Sequence, residues 1–290
     1  MAGRRSKNKG DKQEAALLGL EEMCKSGDNN QAYEALQMYR SRANRFKHKN
    51  DYENAIMVSS RGAVALASNG YDSAALELCM GIVESLEHEK MTLDNLIRNT
   101  LNQIDDAFTV GSKSRSSYLK ALIKWDRSFG SRALGDPMLH CKLAFNLWEN
   151  DDTKLQAAHH FAQAEAPDRF ATKLAGVENE KFRDKIMTLG LLHFLAVENL
   201  RDANELFSRY IKTTTHKDSK LLTFCDYLLQ TCRRDAAPLY QRLIQTYANE
   251  LNFDDSIPNL VKGPIASIYF GIKDQRSNPM MQAILGGLQG

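Results

Sequence analysis

The chain has 290 residues with a formal net charge of +2, 43% hydrophobic and 26% charged. That length and apolar content suffice for a large core in one or two domains, and the near-balanced charge sets up no global field demanding a nucleic acid or a membrane as partner. No apolar run approaches the roughly 18 residues of a membrane span; the best, Leu189 to Val197, is interrupted by His193.

Five cysteines, Cys24, Cys79, Cys141, Cys225 and Cys232, include no C-x-x-C pair. Their odd number makes a poor disulfide framework, so they read as reduced core thiols of a cytoplasmic protein. The N-terminus carries charge with no hydrophobic segment behind it, so no secretory signal is read there.

In residues 1–12, Arg4, Arg5, Lys7, Lys9 and Lys12 stand with no apolar residue beyond Met1 and Ala2. Such a segment cannot offset the entropy of ordering and is expected to be a disordered basic leader. Either a solvated leader or a nucleic-acid-binding or nuclear-address tail would have this composition. A first helix is predicted from Gln13 to Lys25, with Leu17, Leu20 and Met23 or Cys24 inward, closed by Gly27-Asp28.

From Gln31 to Lys47, Ala32, Leu36, Tyr39, Ala43 and Phe46 recur near a period of 3.6, one stripe of a helix that must be buried. Asn50-Asp51 interrupts it, and a second helix runs to Ser68 with Tyr52, Ala55, Ile56, Ser59, Ala63 and Leu66 aligned. Asn69-Gly70 suits the left-handed backbone that closes helices; a third helix follows with Ala75, Leu78, Ile82 and Leu86 in phase. Breaks of two or three residues force such helices to fold back antiparallel. The small residues Ala55, Gly62, Ala74 and Ala75 let their axes approach, and stacked hairpins of this kind are the unit of a solenoid.

Further on, Thr92 is a candidate cap for a helix carrying Leu93, Leu96, Ile97, Leu101 and Ile104, and 111–115 is a loop. A helix from Ser116 to Asp126 leads to the glycine-punctuated stretch 128–135, the predicted joint between halves. Asp136-Pro137 restarts a helix, Asp as cap and Pro at the first position. Helices are then expected over 155–164, 168–177, 180–197, 201–211, 221–231 and 236–251, with a degenerate tetratricopeptide-like rhythm of small and large residues. The polar stretch 213–219 has room for a short hairpin, and Gly263-Pro264 should kink or split the last helix. The predicted organisation is thus a basic leader, 1–12; two halves of an all-α superhelix of degenerate tetratricopeptide-like hairpins, 13–130 and 131–277; and an apolar tail, 278–290, containing Met280, Met281, Ile284, Leu285 and Leu288.

Catalytic chemistry is hard to find. The chain has no G-x-x-x-x-G-K-[ST] loop, no G-x-G-x-x-G after a strand, no H-E-x-x-H and no G-x-S-x-G. Asp105-Asp106 and Asp254-Asp255 do not extend to the D-D-x-x-D that would hold Mg²⁺ and read as helix-end or loop carboxylates, and His159-His160 point about 100° apart on a helix. No catalytic, cofactor-binding or metal-binding residue is assigned. What remains is a surface: Tyr33, Gln37, Arg40 and Asn44 form a second stripe about 100° from the buried one, with the aromatic, arginine and amide mix favoured at interfaces. Its alternative is a half-buried flank packed on the first helix.

The segments Tyr33-Glu34-Ala35-Leu36-Gln37-Met38-Tyr39-Arg40-Ser41 with Arg45-Phe46, Gly135-Asp136-Pro137-Met138-Leu139-His140, and Tyr269-Phe270-Gly271-Ile272 followed by Ile284-Leu285-Gly286-Gly287 resemble, in order and spacing, the signature blocks of the guided entry of tail-anchored proteins factor 4 family. The resemblance implies a cytosolic, non-enzymatic α-solenoid adaptor without cofactors. It implies a targeting ATPase for tail-anchored proteins as partner of the N-terminal half, with Tyr33, Glu34, Gln37, Arg40 and Arg45 on the ATPase-facing surface. It further implies a ubiquitin-like protein or BAG-type scaffold as partner of the C-terminal half. The family's G-D-P-x-L-H block is read as structural. The short 213–219 stretch, where some relatives insert a longer hairpin, and Gly263-Pro264 depart from the pattern and leave the C-terminal partner open. Two other readings stand beside it: a helical-repeat subunit of another assembly, and a nucleic-acid-associated repeat using the leader with Arg40, Arg42 and Arg45, whose binding would fall steeply with salt.

Overall fold

The computed structural model describes residues 2–216 and 218–272, with side chains from Gln13 onward. The apolar tail expected at 278–290 lies outside the described residues. Every regular element among the described residues is helical, and they fall into two compact units, the residues up to Glu149 and those from Asn150 on.

The first unit contains α1 (Ala2–Lys25), α2 (Asn29–Lys47), α3 (Tyr52–Ala67), α4 (Asp72–His88), α5 (Asn95–Ala107), α6 (Lys113–Phe129) and α7 (Pro137–Trp148). Consecutive helices α1 to α4 pack antiparallel, and next-but-one helices lie side by side: α1, α3 and α5 in one layer, α2, α4 and α6 in the other. This two-layer stacking of hairpins is the α-solenoid plan. Helix α1 begins earlier than the Gln13 suggested by the apolar stripe, so the backbone of residues 2–12, expected as a disordered leader, continues the helix. Extending a nucleated helix costs little, and Arg, Lys and Gln are good helix formers.

The turns between paired helices share one geometry. The N–H of Asp51 donates to the carbonyl of Phe46, Tyr71 to Leu66, Met91 to Leu86, Ala166 to Phe161, Asn199 to Phe194 and Ala236 to Thr231, at 2.9–3.3 Å. Each bond closes over a residue in left-handed conformation: Asn50, Gly70, Lys90, Glu165, Glu198 and Asp235. This is the Schellman closure, which satisfies the orphan carbonyls of one helix while aiming the chain back along it.

Between α2, α3 and α4 the axes approach most closely at Gly62, where a Cβ atom would stand 2.6 Å from Cγ of Tyr39 and 2.8 Å from Cδ1 of Leu78. Both neighbours are buried. The predicted stripes of α2 to α4 are the buried ones, except that Phe46, Tyr52 and Ile56 are half-buried. For α5 the phase differs from expectation. Asp94, not Thr92, caps the helix by accepting the N–H of Ile97. Leu93 therefore precedes it, and Leu96 lies on the outer side, 76% exposed.

Asp105, read from sequence as a helix-end carboxylate, is 1% exposed and joins three helices. Arg115 of α6 grips it in bidentate fashion at 2.8 and 2.9 Å, and Lys142 of α7 approaches at 2.6 Å. Burial pushes its pKa up, but the charge-assisted bonds from Arg115 and Lys142 outweigh that and hold the carboxyl below its ordinary value. Asp136 caps α7 as expected and also takes a 2.9 Å ion pair from Arg98 of α5. Asn146 accepts the N–H of Gly111 and donates to Ser116. These bonds tie α7 to the helices before it. The seam between units consequently falls after Glu149, one helix later than the turn at 128–135 where the joint was expected.

The second unit contains α8 (Lys154–Gln163), α9 (Pro167–Ala175), α10 (Glu180–Ala196), α11 (Leu200–Thr213), α12 (Lys220–Arg233), α13 (Ala237–Thr246), α14 (Ile257–Lys262) and α15 (Pro264–Phe270). Here α10 lies beside both α8 and α12, and α9 lies beside α11. The last helix is split at Gly263-Pro264, as predicted, and α13 stops at Thr246, short of Leu251. The described residues of the 214–219 loop form no strand. The buried carboxylate of Asp184 anchors that loop: Oδ1 accepts from Tyr210 at 2.5 Å, and Nδ1 of His216 lies 2.9 Å from Oδ2.

Two outcomes are expected. Gly62→Ala should lower the melting temperature, because overpacking against Tyr39 and Leu78 costs about 1–3 kcal/mol, more than the roughly 1 kcal/mol that alanine adds in helix propensity. Asp105→Asn should cost about 3–5 kcal/mol at pH 7 by leaving part-buried Arg115 unpaired and Lys142 with only its 3.4 Å contact to Asp106. Because the folded pKa of Asp105 is depressed, its contribution is present above the ordinary carboxylate pKa of 3.8 and lost as pH falls through the lower native value. Urea denaturation in acid should therefore show the gap between wild type and variant closing.

Candidate functional site

Helix α2 starts where Gly27 turns with positive φ and Asp28 caps the helix by accepting the N–H of Asn30. Ala32, Ala35, Leu36, Tyr39 and Ala43 are its buried edge. Tyr39 is wholly enclosed, which pushes its pKa up and fixes the rotation of the helix about its axis. The opposite side is thereby presented outward.

Of the residues singled out from sequence, Tyr33 is 62% exposed, Arg40 and Asn44 are exposed and Gln37 is half-buried. They stand on successive turns and form one strip. Glu34 and Arg45 are also exposed, but their helical phase puts them about 100° further round, away from the core. The structure thus brings Tyr33, Gln37 and Arg40 together and sets Glu34 and Arg45 on the adjoining strip. Packing of this flank on α1 is not what occurs. Arg40 reaches the other way, to Oε2 of Glu77 on α4, at 2.8 Å.

That ion pair reveals residues that sequence reasoning missed. Helix α4 lies beside α2 in the same layer and presents Glu77, Met80 and Glu84 at i, i+3 and i+7. Met80 is 45% exposed, and Glu84 takes a 2.6 Å ion pair from Lys47, whose Nζ also donates to the carbonyl of Gly81. The signal was present in the spacing of 77, 80 and 84. It became readable only once next-but-one helices were known to share a layer. The resulting face is an aromatic, an exposed methionine and alternating charges. Its arginine and lysine are each partnered by a carboxylate, so the face offers no unbroken positive stripe for a phosphate backbone.

Nucleophilic and metal chemistry find little support elsewhere. The five thiols are buried, and burial pushes Cys24 up to about 11 and Cys225 and Cys232 up to about 12. His159 and His193 meet edge to face with their Nδ1 atoms 3.4 Å apart. Burial, together with His159, lowers the pKa of His193 to about 3. Among the described residues no cluster of three or more His, Cys, Asp or Glu is placed to hold a metal ion. None of the described helices is long and apolar enough to cross a membrane.

Stacked helical hairpins with an outward face of this composition define a helical-repeat scaffold protein. Residues 49–289 match the family model for Golgi to ER traffic protein 4, and the chain belongs to that family. It is 26% identical over 295 residues to Protein GET4 of Arabidopsis thaliana, covering 88% of this chain and 90% of that one. It is likewise 26% identical over 268 residues to the Golgi to ER traffic protein 4 homolog of Homo sapiens, covering 89% and 80%. The fold is similar to the crystal structure of C. therm. Get4, with a TM-score of 0.71 at 23% identity over 96% of both chains. Membership supports a role in Golgi to ER traffic.

The face should be separable from the fold. Replacing both Tyr33 and Arg40, as Tyr33→Ala with Arg40→Glu, should change unfolding free energy by no more than about 1 kcal/mol, since exposed pairs contribute about 0.2–1 kcal/mol and surface substitutions are generally small. Chemical denaturation followed by circular dichroism would measure this.

Proposed function

We propose that the chain is a cytosolic, non-enzymatic adaptor in the post-translational targeting of tail-anchored membrane proteins to the endoplasmic reticulum. In this reading the face of α2, with Tyr33, Glu34, Gln37, Arg40 and Arg45, meets the targeting ATPase, and the second unit holds a ubiquitin-like protein or BAG-type scaffold. The observation that carries it is the exposure of Tyr33, Gln37 and Arg40 as one strip, at positions that resemble the family's signature block. The role needs no chemistry: two proteins held by one scaffold meet at raised effective concentration, so a client's apolar helix passes between them with little time in water.

Mixed charge supports protein over nucleic acid as the partner of this face. Arg40 and Lys47 are each compensated by a carboxylate on α4, so a protein with its own alternating charges can exchange partners there, whereas a polyphosphate would have to displace Glu77 and Glu84. The alternating charges give orientation and association rate more than raw affinity.

The test is capture from cytosol with the wild-type chain and with the Tyr33→Ala, Arg40→Glu double variant, after circular dichroism shows equal helicity. Wild type is expected to retain a targeting ATPase and a ubiquitin-like protein, and the variant to lose only the ATPase. Retention of neither partner by wild type would overturn the reading in favour of a repeat subunit of another assembly.

A further inference from the structure

On the other layer of the first unit, an open groove of about 950 Å³ runs the length of α3 between α1 and α5. Its floor and walls carry Ile56, Met57, Val64, Leu96, Ile97 and Leu101. Met57 is 44% and Leu96 76% exposed, an unusual position for two large apolar side chains facing one cleft. From Glu53 to Asn69 the lining residues of α3 recur at every turn, which at 1.5 Å per residue makes a trough about 24 Å long.

Many of the polar groups along the trough are already bonded within the chain. Arg61 is held by Glu14, at 2.8 Å, and by Glu21. Ser60 donates to the carbonyl of Ile56, Thr100 to that of Leu96 and Asn69 to that of Ala65. Lys25 pairs with Glu22 at 2.8 Å. A small polar ligand would therefore meet few of the convergent free donors and acceptors that fix orientation in such sites. One end differs. Glu53, in the first turn of α3, and Asp94, ahead of α5, are both exposed, and neither has a cationic partner among the described residues. Asp94 uses Oδ1 to cap α5, 2.8 Å from the N–H of Ile97.

An apolar trough of helical length, internally satisfied along its course and acidic at one end, selects its occupant. We propose that it docks an amphipathic helix of a partner protein, about four turns long, apolar at i, i+3/i+4 and i+7, with lysine or arginine at the end lying over Glu53 and Asp94. This is the helix-in-groove mode of recognition, and flexible methionine on the rim suits it. The site lies on the layer opposite the α2–α4 face and does not depend on what that face binds.

Two synthetic helical peptides of about 16 residues test this, both with leucines at i, i+3/i+4 and i+7, one with lysines at one end and its twin with glutamates. Fluorescence anisotropy with the full chain at low salt should show the lysine peptide binding at least about tenfold more tightly than its twin. Met57→Glu and Leu96→Glu, at exposed positions that leave the core intact, should each weaken it by a similar factor. Glu53→Lys, which leaves Asp94 opposed by a lysine, should largely abolish the preference between the twins, while the Tyr33→Ala, Arg40→Glu variant should bind as wild type. Equal binding of the twins, indifference to Met57→Glu and Leu96→Glu, or no binding of either peptide would each overturn the proposal. So would binding that Tyr33→Ala, Arg40→Glu abolishes, since the peptide would then be on the other face.

Discussion

When a helix reverses direction within three to six residues, its last carbonyls must find donors in the turn itself, because the next helix begins before water or a side chain can supply them. The structure meets that demand with one motif six times, a residue in left-handed conformation with a hydrogen bond closing over it. In the first unit the accepting carbonyls belong to Phe46, Leu66 and Leu86, equally spaced along the chain. Equal spacing gives α3 and α4 nearly equal length, brings each return at the same angle and puts successive buried stripes in register. The two-layer stack, the close passage of α3 over Tyr39 at Gly62 and the outward rotation of α2 all follow from it.

Buried charge adds specification that apolar packing lacks. Leucine and alanine stripes tolerate sliding by a turn, but Asp105 can satisfy both oxygens only when α5, α6 and α7 stand where Arg115 and Lys142 reach it together. Asp184 does the same for the loop after α11, through Tyr210 and His216. The exposed pairs on the α2–α4 face are different in kind. They contribute little to stability and are free to rearrange when a partner arrives.

Much of this was legible beforehand. The stripes of α2, α3 and α4, the Asp136-Pro137 restart and the break at Gly263-Pro264 depend on local chemistry, which a sequence states directly. The turns at Lys90, Glu165, Glu198 and Asp235 were not, since nothing in those side chains announces a left-handed backbone; tertiary packing holds them there. Asp105 looked like a helix-end carboxylate because its partners are remote in sequence, Lys142 most of all. Leu96 was assigned inward on the wrong cap, since Thr92 and Asp94 are both capping residues and only the bond to Ile97 decides between them. On the candidate face, spacing was enough to find Tyr33, Gln37 and Arg40. Glu77, Met80 and Glu84 needed the neighbour relation between α2 and α4, a fact about layers and not about any one helix.

The buried cysteines carry a consequence of their own. Cys24, Cys79 and Cys141 sit in the core of the first unit, Cys225 and Cys232 in that of the second, and Cys24, Cys79, Cys225 and Cys232 are held as thiols by burial. A thiol-alkylating reagent can reach them only when the surrounding helices separate. Each unit therefore carries its own internal clock of opening, readable by mass at known positions without adding any label to the chain.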